Sequence, residues 1–181
     1  LLGDDYLNEE AATCLYTGMS TDTGFCSYSC ESPSLHFAMA AMLQYPIRAA
    51  EVYNHVMNTY SINRMRFWGF AISERLRIFE EKQFAYFYFS LEDQRRFGIT
   101  PQDMEGLVNY TLKMADIEAG ALLREAEGRV KVSLRSKYTT DVNAIARAYF
   151  PQGGGHTKAA GATSLVSLEE TIQLLEKAFL G

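Results

Sequence analysis

No run of 18 or more apolar residues occurs in this 181-residue sequence, which excludes a transmembrane helix. The first 47 residues hold no Lys or Arg at all. The N-terminus, Leu1-Leu2-Gly3-Asp4-Asp5, therefore lacks the basic segment of a secretory signal, and it lacks an initiating Met. Cysteine is sparse and odd in number: Cys14, Cys26 and Cys30. Reduced thiols in a cytoplasmic protein are the expectation, buried as small apolar side chains. A Cys₃His zinc site with His36 would need a spacing unlike that of a knuckle. Histidine is limited to His36, His55 and His156, no two of them adjacent. No internal repeat is present.

What is there is ordinary globular composition, with 48% hydrophobic, 13% aromatic and 22% charged residues. That excludes disorder and collagen-like classes. With 17 Lys+Arg against 22 Asp+Glu, net −5, the chain is not one that coats long nucleic acid by neutralising phosphates. Its charge is uneven. Residues 1–47 carry six acids (Asp4, Asp5, Glu9, Glu10, Asp22, Glu31). Residues 129–158 carry six bases (Arg129, Lys131, Arg135, Lys137, Arg147, Lys158) and one acid, Asp141. Such runs are usually solvated surface. The sharper reading is an acidic metal-holding part and a basic phosphate-holding part.

Periodicity and capping signals divide the chain further. Helices are expected at 8–19, with Asn8 as N-cap and Gly18 as C-cap, at 34–44, and at 47–58 and 61–76. Residues 20–33 read as a loop. Residues 77–80 and 83–90 read as an aromatic hairpin, its rings packing a core rather than stacking bases. A short helix is expected from Ser90 to Gly98, and a further helix opens at Thr100-Pro101. Strands at 117–126 and 129–136 join at Glu127-Gly128. The second alternates strictly, so Val130, Val132 and Leu134 share one face and Arg129, Lys131, Ser133 and Arg135 the other. Asp141 caps a helix to Tyr149. Residues 161–166 form a last strand, and a capping box at Ser167–Glu170 opens the final helix.

Three segments point to chemistry. Gly153-Gly154-Gly155-His156-Thr157-Lys158 lets backbone N–H groups converge on a ligand, with His156 and Lys158 adding donors and a helix start expected after it. Arg135-Ser136-Lys137 ends a strand with a forked donor, a hydroxyl and an ammonium, a set suited to phosphate. Asp22, flanked by Thr21 and Thr23, can ligate a hard cation. Each has a plain alternative: a glycine turn, bases guarding an exposed sheet edge, and an Asx turn.

In this order, Thr21-Asp22-Thr23-Gly24-Phe25, Ser133-Leu134-Arg135-Ser136 and Gly153-Gly154-Gly155-His156 with Ala159-Ala160-Gly161 resemble the DHH–DHHA1 phosphoesterases. The nearest branch is the bacterial nanoRNase and phosphoadenosine-phosphate phosphatase group. The resemblance implies an α/β fold: a helical remnant of the DHH lobe at 1–47, a helical linker at 48–76, and at 77–181 a DHHA1 lobe with a mixed sheet flanked by helices. It implies hydrolysis of short single-stranded oligonucleotides or small nucleotide phosphates with two Mn²⁺ ions. Asp22 matches a metal-binding, catalytic aspartate. Arg135, Ser136, Gly154, Gly155 and His156 match the substrate grip, to which the basic segment adds Lys158. The family's Asp-His-His triplet is absent, so the expectation is the C-terminal part of a longer, cytoplasmic enzyme, catalytically incomplete alone. No membrane partner is expected, and a homodimer is among the assemblies open to it. The rival reading is a DHHA1-type module that binds nucleotide or RNA without chemistry.

Overall fold

The computed structural model describes residues 7–181. Asp4 and Asp5 of the acidic segment, and the start of the lobe expected at 1–47, lie outside the described residues. The chain divides into two compact units, Leu1–Tyr60 and Ser61–Gly181.

In the first unit, α1 (Glu9–Asp22) starts as expected, with the Asn8 side chain accepting from the Ala11 N–H at 2.9 Å. It does not stop at Gly18. A glycine inside a helix costs only about 1 kcal/mol against alanine. The stop comes instead from three consecutive left-handed residues, Gly24, Phe25 and Cys26, with φ of 53°, 54° and 61°. A Cβ at Gly24 would lie 2.3 Å from the Tyr28 ring. α2 (Pro33–Met42) packs against α1, and α3 (Ala49–Met57) buries no residue. With so little interior here, Cys14 and Cys26 are exposed and Cys30 is half-buried, contrary to the expected burial. The Cys30 thiol donates to the Cys26 carbonyl at 3.4 Å.

The second unit is one mixed sheet between two helical layers. Its strands are β1 (Leu76–Phe79), β2 (Phe84–Phe89), β3 (Ala119–Ala126), β4 (Arg129–Ser136), β5 (Gly154–His156) and β6 (Ala159–Ser164), in the order β1-β2-β3-β4-β6-β5. Every neighbouring pair is antiparallel except β2 with β3. That parallel pair is bridged by α5 (Leu91–Phe97), a 3₁₀ turn at Pro101–Met104 and the single-turn α6 (Val108–Thr111). The helix expected from Thr100 does not continue, because Gly106 turns left-handed at φ 83°. α7 (Val142–Tyr149) and α8 (Leu168–Leu180) complete the unit.

β2 is buried on both faces, and its alternating rings feed two cores. Phe84 and Tyr86 join Val130, Val132, Leu134, Ala146 and Leu175 under α7 and α8. Phe87 and Phe89 join Phe67, Trp68, Phe70, Leu107 and Leu122 on the other side. The expected aromatic hairpin and its packing role are thus found. α4 (Ile62–Glu74) buries Phe67, Trp68, Phe70 and Ala71 in that second core. The helical stretch 48–76 is accordingly shared: α3 belongs to the first unit and α4 to the second. Arg75 grips both oxygens of buried Asp93 at 3.0 and 2.8 Å, tying the end of α4 to the start of α5. Among the described residues, no helix is long and apolar enough to cross a membrane.

Gly120 sits in β3 directly beneath Thr111 of α6. A Cβ there would lie 1.7 Å from Thr111 Oγ1 and 2.6 Å from its Cβ. Gly120→Ala should therefore lower stability by about 1–3 kcal/mol or more through overpacking of a buried contact. A shift of the urea midpoint to lower concentration checks it, and an unchanged midpoint would mean that α6 can move away freely.

Candidate functional site

The alternation along β4 sets the site. Val130, Val132 and Leu134 are buried in the α7–α8 core, so Arg129, Lys131, Ser133 and Arg135 must lie on the opposite face. The two-residue turn Glu127-Gly128, with Gly128 at φ 67°, fixes the register. Arg124 pairs with Lys131, Leu122 with Ser133, and Gly120 with Arg135. Arg124 therefore joins the same face. Above it, Pro101, Met104, Glu105 and Gly106 close a cavity of about 280 Å³ with Arg124, Lys131, Ser133 and Arg135 on its other wall. The roof is pinned by Trp68 Nε1, which donates to the Asp103 carbonyl at 2.9 Å, and by Arg64 Nη2, which donates to the Glu105 carbonyl at 2.8 Å.

Among the described residues, the charges on this face lack counterions. Among the described residues the ion pairs are Arg48–Glu51 and Arg75–Asp93. Arg135 is half-buried and donates only to its neighbour's carbonyl, Leu134 O, at 2.9 Å. Burial pushes its pKa below the usual arginine value. Arg124 is lowered by burial first and by the charge of Arg129 second. Lys131 Nζ donates to Thr163 Oγ1 at 2.8 Å. A guanidinium held partly out of water without an acid is electrostatically poised for an anion.

The glycine run is not followed by a helix, as the sequence suggested. Thr157-Lys158 turns the chain back, and β5 pairs antiparallel with β6. The three glycines differ. A Cβ at Gly153 would lie 2.0 Å from the Ala146 carbonyl oxygen, and one at Gly155 (φ 150°) would lie 2.6 Å from the Ala159 oxygen. Those two glycines are required by packing. At Gly154 and its strand partner Gly161, a Cβ would meet only ordinary contacts, at 3.9 and 3.7 Å. Gly161 is exposed, while a Cβ at Gly154 would face Arg147 and Asn143 of α7. Ala159 pairs with both Arg135 and His156, so these two residues share one cross-strand row, two strands or about 10 Å apart. His156 is exposed, and its imidazole has no hydrogen-bond partner among the described residues.

The remaining expected grip residues are placed differently. Ser136 falls on the core side of β4, is buried, and donates to the Thr140 carbonyl at 2.7 Å. Lys158 Nζ donates to the Tyr138 carbonyl. Both brace the loop between β4 and α7. Asp22 closes α1 in the first unit, exposed and with no hydrogen bond to its carboxylate from the described residues. A two-metal centre asks for several carboxylates and imidazoles. No group of three or more His, Cys, Asp or Glu among the described residues is arranged to hold a metal. Asp22 alone does not fit a metal pair, and the cysteines with His36 do not form a zinc site. Arg124 escaped the sequence reading because it ends a run of apolar residues. The tight turn at Glu127-Gly128 was the signal that places it opposite Lys131.

A profile of the DHHA1 domain matches residues 81–180. The chain is 30% identical over 170 residues to the bifunctional oligoribonuclease and PAP phosphatase NrnA of Bacillus subtilis, covering 93% of this chain and 52% of that protein. It is 28% identical over 160 residues to the probable NrnA of Streptococcus mutans, covering 87% of this chain and 49% of that protein. The chain thus spans about half the length of these curated relatives. The crystal structure of an exopolyphosphatase-related protein from Bacteroides fragilis superposes with a TM-score of 0.90 at 32% identity, over 95% of this chain and 50% of that one.

The loop from β4 to α7 hangs on one carboxylate. Glu118 Oε1 accepts from the N–H and hydroxyl of both Thr139 and Thr140 at 2.7–2.9 Å. These bonds, the Thr139 hydroxyl first, lower its pKa to about 2. The folded value lies below the unfolded one of about 4.3. Its contribution is therefore complete above that pH and is lost as pH falls toward 2. Glu118→Gln should flatten the acid limb of stability between about pH 4 and pH 2. Urea midpoints measured across that range check it, and identical acid limbs would mean that the four bonds do not bear on folding.

Proposed function

The chain belongs to the DHHA1 domain family, and from that premise we propose that it grips the substrate of a phosphoesterase acting on short oligonucleotides or small nucleotide phosphates. The observation that carries this reading is the row Arg135–Ala159–His156 on a face whose cations have no acid partner among the described residues. Arg135 offers a forked, charge-assisted contact to one phosphate. His156 reaches the same ligand from the far side of Ala159. Gly161, exposed on the strand between them, leaves room for close approach. A grip of this kind also stabilises charge that builds on phosphate oxygens during hydrolysis. The two curated relatives are named for oligoribonuclease and PAP phosphatase activity, which supports this substrate class.

Hydrolysis asks for more than the described residues present. Asp22 matches a metal-binding aspartate of the resembled family but has no companion ligands among them. The manganese pair that the resemblance implies would need ligands beyond this aspartate. The same observation favours the second reading, a module that binds nucleotide without chemistry.

Titration of 5′-AMP into the purified chain tests the grip. Arg135→Ala should weaken binding by about 1.5–3 kcal/mol, the range for a hydrogen bond to a charged group. Arg135→Lys should recover only part, because an ammonium lacks the fork. Equal affinity in all three proteins would sink the assignment. Incubation with a dinucleotide and Mn²⁺ should give no turnover by this chain alone. Turnover would mean that Asp22 finds metal partners among residues not described.

A further inference from the structure

We propose that Arg124 and Lys131 form a second anion subsite on the same face, one that takes the phosphate of a neighbouring nucleotide rather than the phosphate held at Arg135. The inference rests on reading this face as the substrate platform. It starts from a cross-strand pair of like charge. Arg124 and Lys131 face each other directly in the β3–β4 ladder, an arrangement that destabilises a sheet. Both are half-buried, and Arg129 next to them adds to the repulsion on Arg124.

The usual structural explanation for such bases is protection of a free sheet edge. It does not apply here. In the order β1-β2-β3-β4-β6-β5, β3 and β4 are the two middle strands, each paired on both sides. Among the described residues no carboxylate forms an ion pair with either, and the lining of the cavity carries one acid, Glu105, against Arg124, Lys131 and Arg135. The cavity is also built rather than incidental, since its roof is pinned to α4 through the Asp103 and Glu105 carbonyls. Unpaired cations on a pinned cavity wall fit a bound anion.

Spacing separates this subsite from the first. Lys131 and Arg135 lie four residues apart on β4, about 13 Å along the strand. The two backbone positions are too far apart to serve one phosphate equally, and neighbouring phosphates of an extended strand come within reach of both because the long Lys131 and Arg135 side chains each cover part of the span. The preferred ligand is then an oligonucleotide with at least two phosphates, its chain running along β4.

The experiment compares 5′-AMP with the dinucleotide pApA, by calorimetric titration of the full chain and of three variants. Arg124→Gln and Lys131→Met keep the side-chain stems and remove the charges, and Arg135→Ala serves as reference. Each of the first two should weaken pApA by about tenfold, one charge-assisted contact, while 5′-AMP changes less than about twofold. Arg135→Ala should weaken both ligands. If pApA and 5′-AMP lose affinity equally in the Arg124 and Lys131 variants, or neither does, the subsite is overturned while the grip at Arg135 stands. If wild type binds neither ligand, or Arg135→Ala binds both as wild type does, the platform itself is wrong and the subsite falls with it.

Discussion

Everything on the candidate site follows from the need to keep one face of β4 dry. The strand runs through the middle of the sheet, and Val130, Val132 and Leu134 supply the centre of the α7–α8 core. A pleated strand offers no choice about the residues between them. Arg129, Lys131, Ser133 and Arg135 are committed to the other face by the same geometry that buries the valines. A slip of one residue would bury three cations and expose the core, so register and charge placement are enforced together. The turn at Glu127-Gly128 extends this to β3, and the β4–β6–β5 ladder extends it to His156.

The second layer of helices decides where that face is open. α4 and α6 cover its β2 side, with Thr111 set so close over Gly120 that no side chain fits between them. Toward β6 the same face carries Ala159 and Gly161. Small residues there and large cations beside them leave a shelf with charge along one margin. The Arg75–Asp93 pair contributes indirectly, by joining α4 to α5 and so supporting the segment from which the roof of the cavity descends.

Much of this was legible in the sequence, and the reasons differ by element. The β4 faces, the aromatic hairpin and the capped helices α7 and α8 rest on short-range rules, alternation and caps, which tertiary packing reinforces. The failures are equally physical. Gly18 reads as a helix stop, yet the actual stop needs the left-handed run from Gly24 to Cys26, and no local rule distinguishes the two. The residues after Gly155 read as a helix start because small residues permit one. Pairing with β4 claims them for β6 instead. Ser136 and Lys158 have the right chemistry for a ligand, but local carbonyls capture both. Arg124 required the register before its position meant anything.

The outermost strands have a consequence of their own. β1 spans four residues and β5 three, against eight in each of the middle strands β3 and β4. A sheet tapering this way offers little main chain to an incoming strand from another molecule. Edge-to-edge growth, the usual route from a folded sheet to a fibril, finds only short footholds at Leu76–Phe79 and Gly154–His156. The second foothold belongs to the glycine segment of the site itself. A short sheet edge and an exposed glycine segment are thus drawn from one strand, and lengthening β5 to strengthen the sheet would trade away both.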